Sequence, residues 1–270
     1  MRTMIPIAVL AAISFLGIHS LRHVRAAETP ESRLASESAP VPVLIELFTS
    51  EGCSDCPPAD ALLEKLDRTQ PVNGATLIVL SEHVDYWDDI GWKDPFSSHE
   101  YSQRQDAYAV RFGLSSVYTP QMVVDGHFEL VGSDESRAIR AIENASKEAK
   151  IPVSVSSVHL EGGDIVSLHV HAGQLPSSVA AKSAEILIAT ADESDESHVK
   201  HGENAGRTLK HIAVLRSLTR VGTVDRSGEF NHDVKINITR GNAGNLRLVA
   251  IVQDAPVGKV LGVGSAQLSN

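Results

Sequence analysis

Cysteine is nearly absent. The 270-residue chain carries two, Cys53 and Cys56, so no disulfide framework can staple it. They stand three positions apart in Gly52-Cys53-Ser54-Asp55-Cys56-Pro57. A bridge between them closes so small a ring that the chain-entropy gain is only about 2 kcal/mol, so the pair suits chemistry better than stapling. Aromatic residues are scarce as well, six Phe, four Tyr and two Trp, and Phe230 is the only one after position 150. Blocks of Lys and Arg are missing, and 24 basic against 34 acidic side chains leave a formal net charge of -10. That balance argues against a partner read through its phosphates, so no nucleic acid is expected. Beyond the N-terminus no apolar run is long enough to span a membrane.

What is present suits a folded chain: 42% of residues are hydrophobic, and at roughly 150 residues per domain the length suggests two domains with a core each. Arg2 precedes an apolar stretch from Ile5 to Ile18, too short for a comfortable span of about 20 residues, and Val24 and Ala26 fit the small-residue rule for cleavage. Residues 1–26 are therefore read as a secretory signal, with an uncleaved anchor as the alternative. The remainder is expected in an oxidising, periplasmic or secreted location, with no membrane span after signal cleavage. Residues 27–40 are polar and read as a flexible tether.

Val41 to Phe48 is a dense apolar, β-branched run broken by Pro42 and Glu46, a pattern for a strand buried on both faces. After the CxxC, Ala59, Leu62, Leu63 and Leu66 recur at helical spacing, so Pro57 to about Arg68 reads as an amphipathic helix with prolines in its first turn. Ala75 to Leu80 is a second strand, Ser97 to Phe112 a helix stopped by Gly113, and Asp125-Gly126 a hairpin turn between Gln121–Val124 and His127–Val131. Ala138, Ala141, Ile142 and Ala145 mark one more helix. Residues 41–150 thus read as an α/β domain. From Ile151 about seven alternating segments with polar turns, and no convincing helix, predict an all-β sandwich-like domain over 151–270.

A strand that runs into two cysteines and then a helix puts the first where backbone N–H groups and the helix dipole favour negative charge. Cys53 is the candidate thiolate nucleophile. Cys56, one turn on, is the candidate resolving thiol that attacks a mixed disulfide at Cys53. A zinc half-site and two inert thiols are the alternatives; zinc takes four protein ligands, or three with water, and no second CxxC exists. Val117 to Gly126 places Pro120 at the start of a strand before the hairpin, where a cis bond would turn the Thr119 backbone toward its neighbour.

Leu44 to Leu63 resembles the strand, CxxC and helix of the thioredoxin superfamily, and Val117 to Gly126 its cis-proline strand. More closely, Glu46-Leu47-Phe48-Thr49-Ser50-Glu51-Gly52-Cys53, His83-Val84-Asp85-Tyr86-Trp87, Gly91-Trp92-Lys93-Asp94-Pro95-Phe96, Tyr118-Thr119-Pro120-Gln121 and Gly202 to Leu209 resemble the secreted family DUF1223. The resemblance implies an α/β thioredoxin-like domain with Cys53 as nucleophile, Cys56 as resolver and Thr119-Pro120 beside them. It departs from thioredoxins in having Glu51-Gly52 where a tryptophan commonly precedes the motif, and Ser54-Asp55 inside it; Asp55 is expected to oppose thiolate formation at Cys53. Glu46, the odd residue of an apolar strand, is a candidate to relay the Cys56 proton, as a buried carboxylate near this position does in thioredoxins; a solvated strand-edge glutamate is the alternative.

Eight of the twelve aromatics fall between Tyr86 and Tyr118. Tyr86, Trp87 and Trp92 follow a strand, where a parallel sheet places functional loops, and are read as a substrate-binding wall or lid over the CxxC, against plain packing. His83 is the candidate third ligand if Cys53 and Cys56 hold a metal, and otherwise a hydrogen-bonded histidine at a strand end. The leading function is a thiol-disulfide oxidoreductase acting on a protein or small-molecule thiol or disulfide, with no cofactor beyond its own Cys53–Cys56 disulfide. The alternatives are a copper or other soft-metal chaperone role through Cys53, Cys56 and His83, and a non-enzymatic binding protein.

Overall fold

The computed structural model describes residues 39–161, 164–238 and 245–268; the signal segment and most of the tether lie outside them. Strand β1 (Val41–Thr49) is buried on both faces because it is an interior strand, parallel to β2 (Ala75–His83) and antiparallel to β3 (Gln121–Val124). Its odd residues Val43, Ile45 and Leu47 meet helix α1 (Pro57–Thr69) through Ala59, Leu62, Leu63 and Leu66, and helix α3 (Glu135–Ala145) through Ala138 and Ile142. Each fully buried leucine there contributes about 2 kcal/mol. Its even residues face helix α2 (His99–Phe112): Leu44 shares a core with Tyr101, and Phe48 one with Tyr108. The sheet is therefore covered on both sides in this region.

Local signals fix where these elements stop. The Ser98 side chain accepts the Glu100 N–H to cap α2, and Gly113 ends it at φ 67° with its N–H on Ala109 O and Val110 O. Asp125 (φ 52°) and Gly126 (φ 60°) make the tight turn from β3 to β4 (Phe128–Val131), and a Cβ on Gly126 would lie 2.2 Å from Gly258 O.

Seven further strands follow: β5 (Val153–Glu161), β6 (Ile165–Ala172), β7 (Ser183–His198), β8 (Thr208–Asp225), β9 (Phe230–Asn237), β10 (Leu246–Asp254) and β11 (Val260–Gln267). They do not form the expected all-β sandwich after an α/β thioredoxin-like domain. The protein is mostly β, and one mixed eight-stranded sheet, in the order β11-β10-β7-β8-β2-β1-β3-β4, takes strands from both halves of the chain. Among the described residues β5, β6 and β9 form a separate three-stranded sheet, packed over the β7 and β10 region through Val166, Leu168 and Val170 against Ile186, Ile188, Leu248 and Ala250. The physical reason is an open edge. β2 has β1 on one side only, and β8 fills the other, parallel, with Ser81 opposite Val214. Alternation in a strand shows that one face is buried but not which strand lies beside it. β7 and β8 also run 16 and 18 residues, longer than the expected segments, which lets their paired ribbon reach the CxxC. Among the described residues no helix is long and apolar enough to cross a membrane.

Candidate functional site

At the end of β1 the chain turns sharply into α1. Gly52 permits the turn because a Cβ there would lie 3.1 Å from the Trp87 Cβ. Cys53 N–H donates to Ser50 O (3.2 Å), and the Cys56 carbonyl accepts from Ala59 and Asp60 N–H (2.8 and 3.1 Å) as α1 begins. Pro57 and Pro58 occupy its first two positions, where no intrahelical donor is needed. Both cysteines are free thiols, Cys53 2% exposed and Cys56 fully buried.

Their environments differ in a chemically useful way. A hydrogen bond from the Cys56 thiol, opposed by burial and helped by Thr119 and by the Asp55 and Cys56 amides, lowers the Cys53 pKa from 9.0 to about 7. Burial, and then the Cys53 sulfur itself, push Cys56 far up. One sulfur is thus half ionised near neutral pH while its neighbour keeps a proton. Asp55 enters through its backbone N–H, which favours the thiolate; its exposed side chain does not figure among the causes of the shift.

The Thr119–Pro120 peptide is cis, and the Thr119 carbonyl lies 3.9 Å from Cys53 Sγ. Trp87, whose Cβ and carbonyl lie against Gly52, donates its indole N–H to Thr119 Oγ1 (2.8 Å), so this residue links the two segments that flank Cys53. The Tyr86 hydroxyl donates to Gln105 Oε1 (3.1 Å), and burial raises its pKa, with the two nearby cysteines adding to the rise. Tyr86, Trp87, Thr119 and Pro120 are therefore gathered at the thiols. Trp92 is not: its indole N–H reaches Glu51 Oε2 (2.7 Å) and its Cβ supports Gly202.

Glu46 also goes elsewhere. It lies on the α2 face of the sheet, opposite α1 and the cysteines, where its carboxylate accepts from Arg104 Nε and the Tyr108 hydroxyl, both at 2.7 Å. The buried carboxyl that does act on Cys56 is Asp60, one helical turn later on α1, hydrogen-bonded by Thr49 Oγ1 (2.9 Å) and raised in pKa by burial. That i, i+4 spacing from Cys56 was a usable sequence signal.

The remaining site residues come from far along the chain. In the turn joining β7 to β8, Glu203 Oε2 accepts the Ser54 N–H (3.0 Å), while Asn204 Nδ2 donates to the carbonyls of Glu51 and Cys53, both at 2.9 Å. Arg207 holds the other end of that amide, on Asn204 Oδ1 (2.8 Å). Beneath the loop Glu51 is fully buried and takes hydrogen bonds from Trp92, Ser197 and His211. His83 pairs with Asp94 at 2.7 Å; burial disfavours its charge, but Asp94 outweighs that and the pKa rises. Glu203 and Asn204 lie in the Gly202–Leu209 segment that resembles the family, but nothing local places that segment, or His211, at the cysteines; the β2–β8 pairing brings them here. Among the described residues no group of three or more His, Cys, Asp or Glu side chains has an arrangement that holds a metal ion, and His83 Nδ1 is committed to Asp94.

No curated protein matches this chain. Among solved structures, protein AGR_C_4864 from Agrobacterium tumefaciens is similar at 25% identity, with a TM-score of 0.65 over 87% of this chain and 97% of that one. HBP35 of Porphyromonas gingivalis shares the fold at 12% identity, with a TM-score of 0.59 over 86% of this chain and 77% of that one. The profile described as "Protein of unknown function (DUF1223)" matches residues 44–253, well over half of the sequence, and the chain belongs to that family.

Proposed function

We propose that the protein is a thiol-disulfide oxidoreductase working outside the cytoplasm, with Cys53 as nucleophile and Cys56 as resolving thiol. The observation that carries this reading is the asymmetric pair: two reduced sulfurs in hydrogen-bond contact at the start of α1, one near ionisation at neutral pH and the other holding its proton. A thiolate with a pKa close to ambient pH combines a large ionised fraction with retained nucleophilicity.

The cycle balances on the protein's own groups. The Cys53 thiolate attacks one sulfur of a substrate disulfide, forming a mixed disulfide and expelling the other sulfur as a thiolate. Cys56 then loses its proton and attacks Cys53 Sγ, which releases the second substrate thiolate and leaves a Cys53–Cys56 disulfide. Two electrons pass from the dithiol to the substrate, and the reverse sequence oxidises a dithiol. The Thr119 carbonyl beside Cys53 orients the incoming chain, and Asn204 and Glu203 fix the loop that presents the thiol. Because Cys53 is only 2% exposed, the residues around it have to move before a substrate sulfur can reach it, and the neighbouring Trp87–Thr119 hydrogen bond is the contact we take to open.

Disulfide exchange by the reduced wild type and by Cys53→Ser, against small aromatic disulfides and a reduced or scrambled protein, tests the proposal. Exchange that vanishes in Cys53→Ser supports it, and a wild type that exchanges with none of these removes it. The reduction potential of the couple then orders reductant against oxidant.

A further inference from the structure

Away from the cysteines, the sheet β5-β6-β9 packs Val166, Leu168 and Val170 against the main sheet and turns the alternate residues of β6 outward. Strand pairing sets three different functional groups side by side on that outer face. His159 of β5 is opposite Ser167 of β6, and Ser167 is opposite Lys235 of β9, so imidazole, hydroxyl and ammonium stand in one row across the sheet. The row borders a surface cavity of about 390 Å³, to which Glu161 and Asp233 also contribute. Ser167 is 7% exposed and is among the residues lining it.

Hydrogen bonds give the row a direction. His159 Nδ1 lies 2.8 Å from the Ser157 carbonyl oxygen, which can only accept. Nδ1 therefore carries the ring proton, and Nε2 of the neutral imidazole is a bare acceptor. The hydrogen in the 2.7 Å contact between Nε2 and Ser167 Oγ is then the serine's own. A base that is oriented by a third group and accepts from a hydroxyl is the arrangement that activates a serine. The backbone is bent to make it: the β5–β6 register shifts between Ser156 and His159, and Ser157, at φ 50°, occupies the left-handed region that residues other than glycine avoid. On the other side of the serine, Lys235 Nζ donates to Glu161 Oε2 (2.8 Å), and that carboxylate also lies close to the Ser167 hydroxyl. An ammonium has three hydrogens, so Lys235 can hold Glu161 and still donate to an oxygen that gains charge beside Ser167.

We propose that Ser167, His159 and Lys235 form a second active site, which hydrolyses a small polar ester through an acyl-serine. Apart from Leu168 the cavity is lined by polar and charged side chains, which selects a short acyl group over a lipid chain. Ser167 Oγ attacks the ester carbonyl carbon while its proton passes to His159 Nε2. The bond from that carbon to the alcohol oxygen breaks, and the alcohol leaves with the proton. Water then attacks the acyl carbon and gives one proton to Nε2. Ser167 Oγ takes that proton back as the carboxylic acid departs. Lys235 faces the carbonyl oxygen while it is negative. None of these residues touches the cysteines, so this activity stands or falls independently of disulfide exchange.

Hydrolysis of 4-nitrophenyl acetate is the test, read in the full chain carrying Cys53→Ser so that the reactive thiol takes no acyl group. Adding Ser167→Ala or His159→Gln is expected to lower the rate about a hundredfold, and adding Lys235→Met about tenfold, because that ammonium stays in contact with solvent. A fluorophosphonate probe is expected to label Ser167, located by peptide mass, and to lose that label in His159→Gln. An unchanged rate in Ser167→Ala overturns the proposal. So does a rate no faster than that of free imidazole at the same histidine concentration, or a fluorophosphonate label found elsewhere and not on Ser167.

Discussion

Removing the Trp87 ring is expected to expose Cys53. To uncover the thiol in the wild type, the indole must give up its hydrogen bond to Thr119, worth about 1 kcal/mol, and about 100 Å² of apolar surface packed against the Phe48, Val84 and Tyr108 cluster, worth about 2.5 kcal/mol at 25 cal/mol/Å². The sum is about 3.5 kcal/mol, and each 1.4 kcal/mol is a factor of ten, so the open form is held to about one part in several hundred. Trp87→Ala is therefore expected to speed alkylation of Cys53 by about two orders of magnitude. The assay is iodoacetamide labelling of the reduced protein, with the site assigned by peptide mass. It is best run where Cys53 is fully ionised, so that loss of the Thr119 contact to the sulfur does not enter. Labelling of Trp87→Ala at the wild-type rate would show that the ring does not gate the thiol. Trp92→Ala is the control: its indole serves Glu51, so it should cost stability without speeding the label.

Two other variants test the buried charges. Glu46→Gln breaks the pair with Arg104 on the far side of the sheet and should cost about 3–5 kcal/mol in denaturant unfolding, while the pH profile of thiol exchange stays as in the wild type; a shifted profile would bring Glu46 back as a relay. Glu82 is buried with neither oxygen hydrogen-bonded and Arg104 Nε 3.8 Å from Oε1; burial, then the nearby Glu46, outweigh Arg104 and raise its pKa well above 4.5. The folded protein then keeps a proton that the unfolded chain gives up, so wild-type stability should fall as pH rises above about 4.5, at about 1.4 kcal/mol per unit until the folded value is passed. Glu82→Gln should lose that part of the slope, and an unchanged slope in urea unfolding at several pH values would locate the proton elsewhere.

Much of the secondary structure could be read from local pattern. The apolar spacing of Ala59, Leu62, Leu63 and Leu66 marks α1, Gly113 stops α2, and Asp125-Gly126 makes its hairpin. The C-terminal strands also lie close to their expected positions, with β7 and β8 longer. Partnership between strands was not readable in the same way. Nothing local to Ser81 or Val214 says that they face each other, yet that pairing turns two expected domains into one sheet and brings the β7–β8 turn to the cysteines. The site divides likewise. Cys53, Cys56 and Thr119-Pro120 are recognisable by type and order, and Asp60 by helical spacing. Strand alternation separates Glu46 from that acid: three residues before Thr49, it points to the opposite face. Glu51 and Asn204 stand in segments that resemble the family and His211 in none, and the contacts of all three were hidden, since each meets partners up to 160 positions away.

The most direct test of the account is the pH dependence of alkylation at each cysteine in the reduced wild type. Labelling of Cys53 should rise with a midpoint near 7 while Cys56 stays unlabelled through the same range. A Cys53 midpoint at the ordinary value of 9.0, or labelling of Cys56 ahead of Cys53, would contradict it.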